Sequence, residues 1–376
     1  MGLPERIAEI ELELARTQKN KATEHHIGSL KARLAKLKLE QSNNTSSTGQ
    51  KHATFEVKKS GDARISLIGF PSVGKSTLLT KLTNSDSAIA AHEFTTLTCI
   101  PGKLEYNDTT IQILDLPGII PGASKGRGRG RQVIGVARTS DMILIVLDPR
   151  KKEQKRLLLE ELEAMDIRIN KKKKNISLIP TKSGGISIIR AYDKNINERN
   201  ANNDIGILTD TTITMILKEY KMNNCILTLK ELISTDDLID HITNRAVYIK
   251  ALFVYNKIDT LDIETIDKLS LNDHSVVISS NNDWNLDELL YEVWNGLKLT
   301  RIYTKKKGDF PDLDKPVVLK NNSGKCRVED LCVNLHKDFV VNFKYAMVWG
   351  NSVKYNPQKV GLNHILEDED VVQIYV

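Results

Sequence analysis

Two glycines, a lysine and a serine occur at a spacing that suits phosphate binding, in the order Gly69-x-x-x-x-Gly74-Lys75-Ser76. Alternating β-forming residues precede this segment, and a helix-like run follows it. Glycines let the backbone wrap closely around an anion, so that successive N–H groups point at its oxygens, and the N-terminus of the following helix adds a partial positive charge. The spacing therefore predicts the phosphate loop of a nucleoside triphosphatase.

The chemistry of a triphosphate assigns roles to two side chains of this loop. Lys75 is predicted to reach the β- and γ-phosphates, and the Ser76 hydroxyl is predicted to bind Mg²⁺. The other loop residues predicted to contact the nucleotide are Gly69, Phe70, Pro71, Ser72, Val73, Gly74 and Thr77.

Two further segments could complete a site for Mg²⁺ and the γ-phosphate. Asp115 opens the sequence Asp-Leu-Pro-Gly after an apolar strand and can support Mg²⁺ through water, while the N–H of Gly118 can sense the γ-phosphate. A loop before this motif could deliver a threonine hydroxyl to Mg²⁺ when the γ-phosphate is present; we favour Thr96, with Thr95 as the alternate. The predicted metal ligands are Ser76, Thr96 and Asp115, and the predicted catalytic residues are Lys75, Thr96, Asp115 and Gly118.

An Asn-Lys-x-Asp motif follows another apolar strand and suits the recognition of a base. The Asp259 carboxylate can accept hydrogen bonds from the N1–H and 2-amino groups of guanine, a pair that adenine lacks, so the motif favours GTP over ATP. Asn256 is predicted to brace the loop, and the stem of Lys257 to pack over the ring. After the next strand, Ser279 and Ser280 are predicted to offer backbone N–H groups to the guanine O6.

Two features bear on the hydrolysis of the γ-phosphate. Ile119 stands where many regulatory GTPases place a glutamine that orients the attacking water, and an isoleucine cannot hydrogen-bond water. Hydrolysis must therefore use another group or an ion, or be slow. The glycine-rich segment 122–132 is the second feature; its Arg127, Arg129 and Arg131 could form an RNA-binding tract, an internal arginine finger or a solvated switch.

The motifs are positioned by a regular alternation of strands and helices that begins at Gly61 and predicts a parallel sheet. Each motif follows the carboxyl end of a strand, which is where open parallel sheets bind ligands. A crossover between parallel strands needs about a dozen or more residues, yet residues 148–250 separate two of these strands. The excess predicts a small α+β insertion, in which the Lys171–Lys174 run could be a solvated turn or a contact to a phosphate backbone.

The two ends of the chain do not share this alternation. Apolar residues at helical spacing predict an N-terminal helical hairpin, whose second helix carries Lys31, Arg33, Lys36 and Lys38 as either a solvated face or a docking surface for RNA or a partner. Short strands, a helix over Val328–Lys337 and Gly/Asn turns predict a compact C-terminal α+β module. The predicted domains are the hairpin at 1–42, a polar linker at 43–60, a first part of the α/β domain at 61–166, the insertion at 167–247, a second part of the α/β domain at 248–298 and the C-terminal module at 299–376.

Composition sets limits on the class of protein. Of 376 residues, 40% are hydrophobic and 27% charged, as in globular proteins, and no run approaches the roughly 18 apolar residues of a membrane span. Cys99, Cys225, Cys326 and Cys332 show no metal-ligand spacing and are interpreted as free thiols in a reducing compartment, so a cytoplasmic location is expected. A net charge of +6 gives a mild bias toward polyanionic partners.

Taken together, these segments resemble a known family, the developmentally regulated GTP-binding proteins, a eukaryotic and archaeal branch near the Obg GTPases. The resemblance rests on GFPSVGKSTLL, HEFTTLTCIPG, ILDLPGIIPGA, RGRGRQVI, FVYNKID and the tail FKYAMVWGNSVKYNPQKVG. It implies an N-terminal helix-turn-helix, a Ras-like P-loop GTPase domain, an insertion similar to half of ribosomal protein S5, and a C-terminal ubiquitin-like TGS domain.

The resemblance also implies partners and cofactors. It implies association with translating ribosomes and their RNA, binding of GTP and GDP, and a zinc-finger regulatory protein of the DFRP type, so the chain is expected as a monomer or as a heterodimer with that partner. Relatives with a hydrophobic residue at the position of Ile119 often use K⁺ in place of an arginine finger. Many K⁺ users carry asparagine where this chain, like its branch, carries Ser72.

These observations support two hypotheses of different classes. In the first, the chain is a Mg²⁺-dependent GTPase that acts as a ribosome-associated translation factor, stimulated by K⁺. In the second, it is an RNA- or partner-binding scaffold that uses the nucleotide as a slow conformational switch. An ATPase of the related branch would need glutamate in place of Asp259.

Overall fold

The structure is a computed structural model that describes residues 2–18, 20, 23–47, 59–83, 100–117, 135–151, 153–192, 208–320 and 325–376. The chain forms two compact units. The first unit combines Met1–Thr54 with Asp166–Tyr248, and the second combines Phe55–Met165 with Ile249–Val376. No helix within the described part of the chain has the length and apolar character needed to span a lipid bilayer.

The strands and helices of the described residues have the following bounds. The strands are β1 (Ala63–Ile68), β2 (Ile100–Tyr106), β3 (Thr109–Asp115), β4 (Met142–Leu147), β5 (Ile167–Ile169), β6 (Ile176–Pro180), β7 (Ile186–Arg190), β8 (Cys225–Leu229), β9 (Val247–Tyr255), β10 (Ser275–Val277), β11 (Leu299–Thr304), β12 (Val317–Lys320), β13 (Cys326–Arg327), β14 (Tyr345–Trp349), β15 (Gln358–Val360), β16 (Ile365–Leu366) and β17 (Asp370–Tyr375). The α-helices are Leu3–Arg16, Glu24–Ser47, Lys75–Leu82, Glu153–Ala164, Asp210–Glu219, Thr235–Thr243, Ile263–Ser270, Leu286–Leu297, Val328–Leu335 and Lys337–Val341, and Ile258–Thr260 is a 3₁₀ turn.

The main sheet of the second unit has the strand order β10-β9-β4-β1-β3-β2. These six strands are parallel except β2, which runs antiparallel to β3. β1 and β4 are buried along their whole length, which explains their nearly continuous apolar sequences. The prediction of a parallel sheet was therefore wrong at one edge. There β2 contains Pro101 and Gly102, residues that read as a turn but that an edge strand tolerates.

The first unit joins two segments that are far apart in the sequence. Its three-stranded sheet has the order β6-β8-β7, and its core contains Ala32 of the second hairpin helix together with Ile213, Ile216 and Leu227 of the insertion. The hairpin and the insertion thus share one hydrophobic core. The second hairpin helix continues to Ser47, so the range predicted as linker from residue 43 begins as helix.

The lysines of the second hairpin helix are used inside this unit. Lys31 Nζ lies 2.7 Å from Asp236 Oδ2, and Lys36 Nζ donates to the backbone oxygen of Glu219 at 2.8 Å. The remaining two basic side chains of the run also have acidic neighbours, Arg33 with Glu219 and Lys38 with Glu11. The run is therefore neither a merely solvated face nor an unpaired basic surface, because the insertion and the first helix supply its counter-charges.

The C-terminal segment belongs to the second unit. Its sheet has the order β12-β11-β17-β14-β15, and β13 pairs with β16. The helix predicted over Val328–Lys337 is divided at His336, whose φ of −167° is extended. Lys320 at the end of β12 pairs with Asp141, the residue before β4, at 2.5 Å, so the C-terminal module is tied to the α/β sheet.

Candidate nucleotide site

The phosphate loop leaves the carboxyl end of β1 and enters the helix Lys75–Leu82. Two of its positions require glycine. A Cβ on Gly69 would lie 2.4 Å from the backbone oxygen of Val146, and Gly74 has a φ of +95° with Asn256 Nδ2 2.4 Å from where its Cβ would be. The close approach of β4 and of the base-binding loop therefore fixes both glycines, independently of any ligand.

Lys75 is a buried cation held by carbonyl groups. It is 8% exposed, and its Nζ donates to the backbone oxygens of Gly69 at 3.2 Å and Phe70 at 3.0 Å. Burial lowers the pKa of its ammonium below the usual range, and the negative charge of Asp115 partly opposes this. An ammonium in this position lacks a bonded counter-charge, and phosphate oxygens would supply one.

Asp115, at the end of β3, lies against the start of the same helix. Its Oδ2 accepts a hydrogen bond from Ser76 Oγ at 2.6 Å, whereas its Oδ1 is buried and has no hydrogen-bond partner among the described residues. An unpartnered buried carboxylate oxygen is costly, and a hydroxyl and a carboxylate are the oxygen donors that Mg²⁺ prefers. The two side chains therefore fit a magnesium ion held at this end of the helix.

The side chain of Asn256 connects three loops of the site. Its Nδ2 donates to the backbone oxygen of Val73 at 2.9 Å, and its Oδ1 accepts from the backbone N–H of Lys257 at 2.8 Å and of Ser280 at 3.0 Å. The side chain is 2% exposed. This one amide group thus ties the phosphate loop to the loops after β9 and β10.

The loop predicted to bind the base contains the carboxylate of Asp259. Asp259 Oδ1 accepts from Ser279 Oγ at 2.7 Å, and within the described residues Oδ2 accepts no hydrogen bond. A cavity of about 270 Å³ opens beside it. Its lining consists of Ser72, Gly74, Thr77, Asn256, Lys257, Asp259, Ser279 and Asn281.

The backbone N–H groups predicted to reach the guanine O6 are engaged within the protein. Ser279 N–H donates to the backbone oxygen of Trp284 at 3.2 Å, and Ser280 N–H donates to Asn256 Oδ1. The two serines instead hold the recognition side chains, Ser279 holding Asp259 and Ser280 holding Asn256. The tight turn after β10 folds these N–H groups onto protein acceptors, and their contact with the guanine O6 stays a prediction.

The other predicted loop residues occupy different environments. Phe70 and Val73 are buried, whereas Pro71 is exposed at the tip of the loop. Thr77 lines the cavity, as does Ser72. Several predicted residues lie outside the described residues, namely Thr95, Thr96, Gly118, Ile119, Arg127, Arg129 and Arg131.

Sequence reasoning missed two residues of the site. Asn281 lines the cavity one position beyond the predicted serines. Asp148 follows β4 and lies 3.6 Å from Lys257 Nζ, yet no motif marks it. Its position at the carboxyl end of a buried parallel strand was the one signal that could have identified it.

Known protein families match this chain over most of its length. Residues 64–182 match the family model described as 50S ribosome-binding GTPase, residues 184–299 match the C-terminal region of that domain, and residues 300–376 match the TGS domain. Developmentally-regulated GTP-binding protein 2 of Homo sapiens is 50% identical over 375 residues, which cover 100% of this chain and 99% of that protein. The chain belongs to the developmentally regulated GTP-binding proteins.

Other members of the family show the same degree of similarity. The Dictyostelium discoideum homolog is 50% identical over 375 residues, covering 100% of this chain and 99% of that protein, and developmentally-regulated G-protein 1 of Arabidopsis thaliana is 50% identical over 378 residues, covering 100% and 91%. As a developmentally regulated GTP-binding protein, the chain is a GTP-binding GTPase with a P-loop domain and a TGS domain. The family and the fold class predicted from the sequence are thereby confirmed.

Proposed function

We propose that this chain is a Mg²⁺-dependent GTPase that acts in the cytoplasm as a ribosome-associated translation factor, stimulated by K⁺ and controlled by a zinc-finger partner of the DFRP type. The observation that carries the proposal is the unpartnered Asp115 Oδ1 beside Ser76 Oγ and the carbonyl-held Lys75. These groups together lack only an anion and a divalent cation, which GTP with Mg²⁺ supplies.

The residues of this chain have distinct proposed roles. Lys75 binds the β- and γ-phosphates, Ser76 and Thr96 bind the metal, and Asp115 supports it. Gly118 senses the γ-phosphate. When bound, Mg²⁺ neutralises charge on the phosphate oxygens.

Base selection is proposed to rest on the free oxygen of Asp259. The carboxylate accepts from N1–H and the 2-amino group of guanine, while Asn256 keeps the loop in place. Asp259→Asn should shift the preference from GTP toward xanthosine triphosphate, because the amide reverses one hydrogen-bond direction. Competition of each nucleotide against fluorescent GDP measures this shift, and unchanged selectivity for GTP would contradict the assignment.

The proposed K⁺ dependence centres on Ser72. Its φ of +65° turns the loop, and its backbone oxygen accepts from Lys257 Nζ at 2.7 Å. Ser72 lines the cavity, so its hydroxyl is the group that we propose for contact with a monovalent ion. Single-turnover GTP hydrolysis in K⁺ and in Na⁺ at equal ionic strength tests the idea; K⁺ should accelerate hydrolysis, and equal rates would rule out K⁺ assistance.

The proposed ribosomal role is supported by the similarity of residues 64–182 to ribosome-binding GTPases and by the TGS domain. Turnover measured with and without ribosomes, in K⁺ and with the zinc-finger partner, separates the two functional hypotheses. A translation GTPase should hydrolyse GTP faster when ribosomes are added. Negligible turnover under all these conditions, with ribosome binding retained, would favour the scaffold that uses nucleotide as a slow switch.

A further inference from the structure

Asp148 is a buried carboxylate for which the proposed mechanism has no use. It follows β4 directly and is 4% exposed. Its Oδ1 accepts from Arg150 Nε at 3.0 Å and its Oδ2 from Arg150 Nη2 at 2.8 Å, in a bidentate pair. The same Oδ2 lies 3.6 Å from Lys257 Nζ. A buried carboxylate between two cations holds both in place.

Lys257 in turn connects the base-binding loop to the phosphate loop. Its Nζ donates to the backbone oxygen of Ser72 at 2.7 Å. Both residues have φ in the left-handed region, +67° for Lys257 and +65° for Ser72, a conformation that non-glycine residues rarely adopt. The Lys257 ammonium therefore joins two strained turns, and Asp148 is the carboxylate that faces it from β4.

The electrostatics support a positioning role. Hydrogen bonds from Arg150 hold the pKa of Asp148 at about 2, well below the usual range, and burial of the carboxyl partly opposes them. The group is thus a permanent anion at any pH at which the protein works. The Lys257 side chain is 29% exposed. The negative charge of Asp148 offsets the electrostatic cost of holding this ammonium and the Arg150 guanidinium beside the same carboxylate.

We propose that Asp148 is a positioning residue of the guanine-nucleotide site, which holds the Lys257 ammonium against the Ser72 carbonyl and so keeps the base-binding loop and the phosphate loop in register. The inference rests on the proposed contact between the Lys257 stem and the guanine ring. Without Asp148, the Lys257 side chain loses its counter-charge, and the surface on which the base stacks is less ordered.

A double-mutant cycle on GDP affinity tests the proposal. Asp148→Asn should raise the Kd for GDP by about tenfold, the effect of losing one sheltered ion-pair partner of Lys257. Lys257→Met should raise it at least as much, and the double variant should be no weaker than Lys257→Met alone, because both changes remove the same interaction. The ratio of guanosine to inosine nucleotide affinity should stay unchanged in Asp148→Asn, whereas Asp259→Asn alters it.

A matched control comes from another aspartate–lysine pair of the chain. Asp236→Asn removes the partner of Lys31 in the first unit and should leave the Kd for GDP within about twofold of wild type, the variation expected of an uninvolved exposed pair. Normal GDP affinity in Asp148→Asn, or single effects that multiply in the double variant, would overturn the positioning role. Normal GDP affinity in Lys257→Met would instead remove the proposed base contact on which the inference rests.

A second pair of variants keeps the proposal testable if the buried Asp148→Asn does not fold. Lys257→Arg retains the charge facing Asp148 and should bind GDP within about threefold of wild type. Lys257→Gln retains a polar end group but is uncharged and one bond shorter, and it should bind about tenfold more weakly. Equal affinities of Lys257→Arg and Lys257→Gln would overturn the proposal, since the charge that Asp148 holds would then be immaterial.

Discussion

Two buried cations of this protein, Arg168 in the first unit and Lys75 in the second, have partners of opposite kinds. In the first unit, Arg168 faces Asp240 in an ion pair whose side chains are 15% and 7% exposed, with Nε 2.7 Å from Oδ2. In the second unit, Lys75 is equally sheltered, but its hydrogen bonds go to two backbone oxygens, and no carboxylate lies within ion-pair distance of it among the described residues.

The difference teaches where a ligand can bind. A cation matched by a carboxylate has its electrostatic needs met and serves the fold, as the Arg168–Asp240 pair does. A cation held only by neutral carbonyl groups is fixed in position while its charge remains uncompensated, so an incoming phosphate gains the full interaction. The lowered pKa of Lys75 reflects the burial of this ammonium without a bonded counter-charge.

The largest effect that distinguishes the units is expected at Lys75. Lys75→Ala should raise the Kd for GDP by about a thousandfold, because it removes a buried charged contact to phosphate worth about 4 kcal/mol. Titration with fluorescent GDP measures this. Lys36→Ala is the control from the first unit; it should leave the Kd unchanged, and near-normal GDP binding by Lys75→Ala would show that the comparison is mistaken.

Breaking the structural ion pair should affect the first unit alone. Arg168→Ala leaves the Asp240 carboxylate buried without its partner and should lower the free energy of opening of this unit by about 3 kcal/mol. Hydrogen exchange of the amides in the helix Thr235–Thr243 reports that free energy. Asp236→Asn breaks the pair with Lys31, in which the Asp236 side chain is 55% exposed, and should lower the same free energy by less than about 1 kcal/mol. A similar loss of stability in both variants would show that burial is not the cause of the larger effect at Arg168.

The magnesium site gives a third, smaller effect. Asp115→Asn should raise the Mg²⁺ concentration needed to slow GDP release by about 10–100-fold, as expected when a group that supports a metal is neutralised. Stopped-flow release of labelled GDP over a range of free Mg²⁺ measures it. Release in excess EDTA is the internal control and should change little; a large change there would indicate that Asp115 acts on the fold and not on the metal.

The smallest effect is expected from a helix cap in the first unit. Ser234 Oγ accepts from the N–H of Asp237 at 3.2 Å, while the Asp237 carboxylate accepts from the Ser234 N–H at 2.9 Å, which completes a capping box. Ser234→Ala should destabilise the helix Thr235–Thr243 by about 1 kcal/mol in hydrogen exchange. GDP affinity should not change, and a weakened affinity would mean that the first unit contributes to the nucleotide site.

Many elements of the fold could be predicted from local sequence. β4, β8 and the helix Thr235–Thr243 follow from their own apolar patterns, because a buried strand and an amphipathic helix are each encoded by residues only a few positions apart. β2 was missed because its Pro101 and Gly102 read as a turn, and neither its pairing with β3 nor its direction is encoded in its own residues.

The residues of the site likewise fall into those that local sequence predicts and those that only the fold brings together. The spacing of glycines, Lys75 and Ser76 could be read directly, since a phosphate loop is continuous in sequence. The environment of Asp259 and the engagement of the Ser280 N–H by Asn256 depend on loops that follow different strands. No local pattern predicts which N–H groups such loops leave free.

The sequence by itself therefore determined which chemical groups this protein has for a nucleotide: the phosphate-binding loop, Asp115 as the predicted support for magnesium and Asp259 as the predicted reader of the base. The tertiary structure alone decided the partner of each charge. Lys31 meets Asp236 across 205 positions of sequence, and Lys257 meets Asp148 only because β4 and β9 are neighbours in the sheet. Electrostatic interactions act over a few ångströms in space, so the fold determines which cations stay uncompensated for a ligand.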